Sequence, residues 1–148
     1  MTKKYSLSVS GEYTLWLIEN SDRPLNLYLR KAENLNIRFN GLEWAQLFYQ
    51  VLNCPTADEY LPSEDIKVWQ ERNERKFREV ISDYPMLGEL NDIYSKLLFN
   101  QKQIQELKNE ILEVIPRAIN NKPALQGLVK LKDGCEKALE KEKFLYFN

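Results

Sequence analysis

The sequence predicts an α+β fold: an N-terminal antiparallel β-meander packed against a C-terminal set of four or five helices. Three observations predict it. Apolar and polar residues alternate through the first 40 positions, the period of a strand with one face buried. From Asn40 onward apolar residues recur every three or four positions, the period of a helix. Finally, the chain has 148 residues, 43% hydrophobic and 29% charged, which fits one globular domain. We expect residues 1–148 to form that single domain, with a sheet part over about 1–40 and a helical part over about 41–148.

The elements follow in order. Tyr5, Leu7 and Val9 share one parity with Tyr13, Leu15 and Leu17, while Ser6, Ser8, Ser10, Glu12 and Thr14 take the other. Gly11 interrupts the run as a bulge or turn. Asn20–Pro24 is a dense turn cluster. Leu25, Leu27 and Leu29 resume the alternation, and after a break at Ala32–Asn34 so do Leu35, Ile37 and Phe39. Asn40 followed by Glu43 has capping-box spacing, and Leu42, Ala45, Phe48, Val51 and Leu52 follow as a helical stripe. Pro55 ends that helix, and a loop is expected to run to Pro62.

Ser63, Glu64 and Asp65 open the next helix, where a cap and acids suit the positive end of the helix dipole. Its stripe is Ile66, Trp69, Phe77, Val80 and Tyr84, closed by Pro85. Met86, Leu87, Leu90, Ile93, Tyr94, Leu97 and Leu98 mark another. Asn100 and Gln103 form a second capping-box pair ahead of Ile104, Leu107, Ile111 and Val114, with Pro116 as the break. Leu125, Leu128, Leu131, Cys135 and Ala138 give the last stripe. The tail Phe144–Phe147 is expected as a final strand or a plug docked on the core. Gly88 and Gly134 fall inside helices, where glycine costs about 1 kcal/mol relative to alanine; close packing is the expected reason.

Charge and composition narrow the function. The net charge is −1, so the basic surplus of a nucleic-acid binder is missing. Only residues 54–83 lean, with five basic and eight acidic side chains. Glu71–Arg75 and Glu74–Arg78 alternate sign at helical spacing, the pattern of a solvated, salt-bridged face. No stretch approaches 18 apolar residues, and the N-terminus lacks an apolar leader segment, so no membrane association and a cytoplasmic location are expected.

The chain contains no histidine and two cysteines, Cys54 and Cys135. Histidine relays and zinc sites with four Cys or His ligands are therefore ruled out. The two thiols read as free in a reducing compartment, with a single Cys54–Cys135 bridge as the alternative. Cys135 lies on an apolar stripe, where it serves as a small hydrophobe. The five glycines are scattered singly and make no phosphate-binding loop. No cofactor, no metal and no catalytic residue is expected.

Two features read as partner-binding. Asp58, Glu59, Tyr60, Glu64 and Asp65 place four acids around an aromatic with no basic residue between 56 and 65, a surface suited to a basic partner. The plainer reading is a solvated loop and a helix start. Trp16 and Tyr28, with Ile18, fall on the polar parity of the strands, which puts an aromatic patch on the outer sheet face unless a helix covers that face or the register breaks.

Residues 84–148 resemble small bacterial cytosolic proteins, some of them immunity proteins of polymorphic toxin systems. The resemblance is carried by Tyr84-Pro85-Met86-Leu87-Gly88, by Glu106-Leu107 with Glu110, by Leu125 and Leu128, by Cys135 with Ala138-Leu139, and by the apolar tail. It implies a toxin partner. The near-neutral charge departs from the strongly acidic habit of immunity proteins against nucleases, which argues against a nuclease as that toxin.

The expected function is thus non-catalytic protein binding, as an immunity protein that neutralises a toxin by stoichiometric association. Two alternatives stand beside it: a histidine-free enzyme using Asp/Glu and Tyr, and a structural or regulatory homodimer.

Overall fold

In the computed structural model, the described residues are 2–4, 13–19, 32–53, 60–62, 78–79, 82–90 and 98–148. The expected strands over 5–9 and 25–29, Tyr28, Cys54, Asp58, Glu59, Glu64, Asp65 and the stripe over 66–77 lie outside them. For Tyr60 only the backbone is described.

The chain is α+β. Strands β1 (Thr2–Lys4), β2 (Thr14–Ile18) and β3 (Glu33–Arg38) come first. Helix α1 (Gly41–Ala45) continues without a break as a wider turn over Gln46–Val51. Then come β4 (Tyr60–Pro62), α2 (Pro85–Leu90), β5 (Leu98–Phe99), α3 (Gln101–Val114) with a 3-10 turn over Ile115–Ala118, α4 (Lys122–Glu140) and β6 (Phe144–Phe147). β1 pairs with β4, and a four-stranded sheet runs β3-β2-β6-β5, antiparallel throughout.

The tail is thus a strand. It sits between β2 and β5, with Leu15 opposite Phe147 and Leu17 opposite Leu145. Those side chains and Phe99 face the helices and are buried. On β3 the alternation predicted for Leu35 and Ile37 holds, with Asn34, Asn36 and Arg38 exposed. Between two ladder pairs, Thr14–Arg38 and Trp16–Asn34, β2 has one residue where β3 has three. Asn36 absorbs the excess at φ 58°, with its N–H donated to Asn34 Oδ1 at 2.8 Å. Asparagine tolerates this left-handed backbone better than most residues.

Both expected capping boxes form. Asn40 Oδ1 accepts from Glu43 N at 2.8 Å while Glu43 Oε1 accepts from Asn40 N at 2.9 Å. Asn100 and Gln103 repeat the arrangement at the start of α3. The α3 stripe of Ile104, Leu107, Ile111 and Val114 is fully buried.

The structure corrects three placements. Leu42, expected on the buried stripe of its helix, is 59% exposed, and Trp44 and Leu47 take the core positions instead. The capping box turns Glu43 inward. The helix then widens, with Leu52 N donating to Leu47 O across five residues, so that 47, 48, 51 and 52 all face inward. Leu98, expected on a helix, is in β5, because pairing with β6 and the extended backbone before the Asn100 cap override the helical spacing. Tyr60–Pro62, expected at the end of a loop, form β4, because Thr2–Lys4 offers them an antiparallel ladder; Leu125 of α4 is half-buried and packs on the core as expected.

Gly134 bears out the expectation of close packing: a Cβ there would overlap the Leu15 Cδ1 methyl. The core joins the inner sheet face to α1, α3 and α4, and Trp44 is its aromatic centre, 4.9 Å from the rings of Tyr13 and Phe48. No helix among the described residues is long and apolar enough to cross a membrane.

Candidate functional site

Only two charged residues in the described core are buried, and local structure accounts for both. Glu43 is 2% exposed. Besides capping α1 it receives Lys130 Nζ at 2.8 Å on each carboxylate oxygen, and the same ammonium donates to Arg38 O at 2.8 Å. Gly127 of α4 lies against its Cβ and carbonyl. Glu110 accepts from Met86 N and Leu87 N at 3.0–3.1 Å, closing the start of α2. Burial pushes its carboxyl above the usual range, opposed by those two N–H groups and reinforced by Glu106 and Glu113 on its own helix. Both carboxylates are committed to holding helices.

Burial pushes the free Cys135 thiol up to about 12, far from the thiolate that nucleophilic or metal chemistry needs. Among the described residues, no three His, Cys, Asp or Glu side chains are grouped to hold a metal ion.

Of the sequence-predicted partner contacts, Trp16 is the one whose side chain is described. It lies on the outer face of β2, half-buried, with Tyr146 opposite it and Leu98 opposite Tyr146. Its neighbour on that face, Ile18, is 1% exposed, lies outside the main core cluster and faces Phe144. The Trp16 indole N–H is enclosed and has no hydrogen-bond partner among the described residues. The outer face is therefore aromatic at Trp16 but is not an open surface around Ile18.

A different surface stands open. Of the four large apolar side chains exposed among the described residues, three lie on the α3–α4 hairpin: Leu112 at 47%, Ile119 at 68% and Val129 at 44%. Single exposed apolar residues are ordinary; grouping is what carries information. The hairpin register decides whether they are grouped. Gln101, at the start of α3, donates to Ala138 O and Lys143 O at the far end of α4, so the helices run antiparallel. Lys108 meets Glu136 across them at 3.9 Å. With equal rise on both helices, that pair sets Leu112 level with Lys132 and Ile115 level with Val129.

Residues three and four apart share a helix face. Lys108, Leu112, Ile115 and Ile119 therefore form one stripe on α3 and its extension. Leu125, Val129, Lys132 and Glu136 form the facing stripe on α4. The result is a seam on the outside of the hairpin, charged at one end and apolar toward the connecting turn. A shallow depression of about 640 Å³ lies over the outer face of α4, lined by Lys122, Leu125, Gln126, Val129 and Lys130.

Sequence reasoning missed these residues; the available signal was that Leu112, Ile119 and Val129 fall off both buried stripes.

Comparison with family models, with curated proteins and with solved structures finds no match to the chain.

Proposed function

We propose that this protein works without catalysis, by stoichiometric binding of another protein through the outer seam of its α3–α4 hairpin. The observation that carries this reading is that Leu112, Ile119 and Val129, spread over about two turns of one hairpin, are left in water at 44–68% exposure. Covering such a group is the usual source of favourable energy in association, and a rigid hairpin tied at both ends limits the ordering cost of binding. Gln101 ties one end of the hairpin. Near the turn, Arg117 donates to Val51 O at 2.8 Å and Asn121 Nδ2 donates to Gln46 Oε1 at 3.0 Å.

In its narrower form the partner is a toxin and this chain is its cytoplasmic immunity protein. The support is the resemblance over residues 84–148, which contain the whole seam. The test is purification of the tagged chain from its source organism, followed by mass spectrometry. One protein co-purifying at a fixed ratio is the expected result, and restored growth on co-expression with it would identify that protein as a toxin. A chain that purifies alone with a retained metabolite would overturn the reading in favour of a histidine-free enzyme.

A further inference from the structure

We infer that Asn40 is a self-modification site held shut by the fold: its side-chain amide is lost to backbone attack by Gly41 when the first turn of α1 opens, and the isoaspartyl product no longer fits that turn. Asn40-Gly41 is the only asparagine-glycine pair in the chain. With no Cβ on the following residue, the attacking nitrogen is unhindered. Asn40 lies at the surface. Its Oδ1 accepts from Glu43 N at 2.8 Å, while its Nδ2 has no hydrogen-bond partner among the described residues and is free to leave. Gly41 N, at the first helical position, is one of the donors that a helix leaves without an internal partner.

The step is an intramolecular acyl transfer. Gly41 N bonds to Asn40 Cγ and gives its proton to a solvent base. The Cγ–Nδ2 bond breaks, and the amide departs as ammonia after taking a proton from water. Water then opens the five-membered imide at either carbonyl. Opening at the former side-chain carbonyl leaves aspartate on the normal backbone, which caps a helix as well as asparagine does. Opening at the backbone carbonyl leaves isoaspartate, whose link to Gly41 runs through Cβ and Cγ. That longer link displaces the residue-40 N–H from Glu43 Oε1, so the capping box cannot re-form.

The native geometry opposes the attack. Asn40 has φ −103° and ψ 167°. Ring closure needs its Cβ nearly eclipsed with Gly41 N about the Cα–C bond, and this extended ψ holds the two staggered. Turning ψ would swing α1 against β3. Phe39 and Trp44, both 2% exposed, anchor the chain on either side of the pair. Glu43 Oε1 holds Asn40 N at 2.9 Å, and Lys130 ties Glu43 to Arg38 O. The reaction therefore waits on local opening of α1, and its rate follows the population of the open form.

Peptide mapping by mass spectrometry of the full chain, incubated at pH 8 with and without urea, tests this. In urea, Asn40 is expected to convert to aspartate and isoaspartate at the rate of an unstructured peptide carrying Asn40-Gly41. Without urea the conversion is expected to be at least about tenfold slower. Glu43→Ala, which removes half of the capping box, and Lys130→Met, which removes the tie, are each expected to raise the native rate about tenfold. Val114→Ala is a core change on α3; in enough urea to match its stability to theirs, it is expected to raise the rate far less. Native conversion as fast as in the peptide, no conversion in urea, or equal acceleration by Val114→Ala at matched stability would each overturn the inference.

Discussion

Lys130 holds Glu43. One ammonium reaches both carboxylate oxygens at 2.8 Å and also the carbonyl of Arg38, so a single side chain of α4 fixes the start of α1 and the end of β3. Glu43 is almost fully enclosed, while Lys130 is about one-third exposed. Breaking such a pair from one side strands a buried charge, which costs more than the pair itself contributes.

Lys130→Met is therefore expected to lower stability by about 2 kcal/mol, toward the low end for a buried pair because the lysine is partly solvated. Adding Glu43→Gln is expected to recover most of that loss, since glutamine still accepts from Asn40 N. Urea denaturation of the two single variants and the double variant measures it. Strictly additive losses would show that the two residues do not act together.

Glu110 predicts a pH signature. Its carboxyl titrates above the ordinary range in the fold, so the folded state holds the proton more tightly than the unfolded chain does. The stability gained from the protonated form is fully present below the unfolded value of about 4.3 and is lost as pH rises through the folded value. Glu110→Gln, which keeps an acceptor for Met86 N and Leu87 N without the charge, is expected to gain on the wild type at pH 7 and to match it near pH 4. Glu110→Ala leaves both N–H groups unpaired and is expected to cost about 2 kcal/mol at either pH. Denaturant midpoints across pH 4–7 separate these outcomes.

Two helical glycines should respond oppositely to the same change. A methyl at Gly127 meets Glu43 at 3.6 Å, an ordinary contact. Gly127→Ala is therefore expected to stabilise by up to about 1 kcal/mol through helix propensity. A methyl at Gly134 overlaps Leu15, which is buried in the sheet. Overpacking of about 1–3 kcal/mol outweighs the propensity gain there. Thermal unfolding compares the two, and Leu15→Val is expected to relieve part of the Gly134→Ala loss.

Cys135 should be chemically silent while the protein is folded. In a Cys54→Ser background the remaining thiol, held near 12 by burial, is expected not to react with a disulfide reagent at pH 8 until urea unfolds the chain. Rapid labelling of the native protein would mean that the core opens around α4.

What was legible in the sequence was local. The boxes at Asn40 and Asn100, the stripe from Ile104 to Val114 and the alternation of Leu35 and Ile37 depend on neighbours within a few residues, and each forms as read. What was not legible depended on distant partners. Leu98 and Phe99 become a strand only because β6, more than 40 residues later, lies beside them. The burial of Glu43 and Glu110 was not legible, because nothing within one helix announces Lys130 or the amides of Met86 and Leu87. Leu112 and Val129 went unremarked, since the period of one helix alone does not say which side its neighbour covers. Of the residues picked out for binding, Trp16 lies on the outer sheet face. Tyr28, Asp58, Glu59, Glu64 and Asp65 fall outside the described residues, as does the Tyr60 side chain.

Hydrogen exchange of the chain, alone and in complex with whatever protein co-purifies with it, tests the central claim most directly. The account predicts slowed exchange in the second half of α3, the turn at 119–121 and the first half of α4, with the outer sheet strands unchanged. Protection confined to β2 and β6 around Trp16 and Tyr146, with the hairpin exchanging as before, would contradict it.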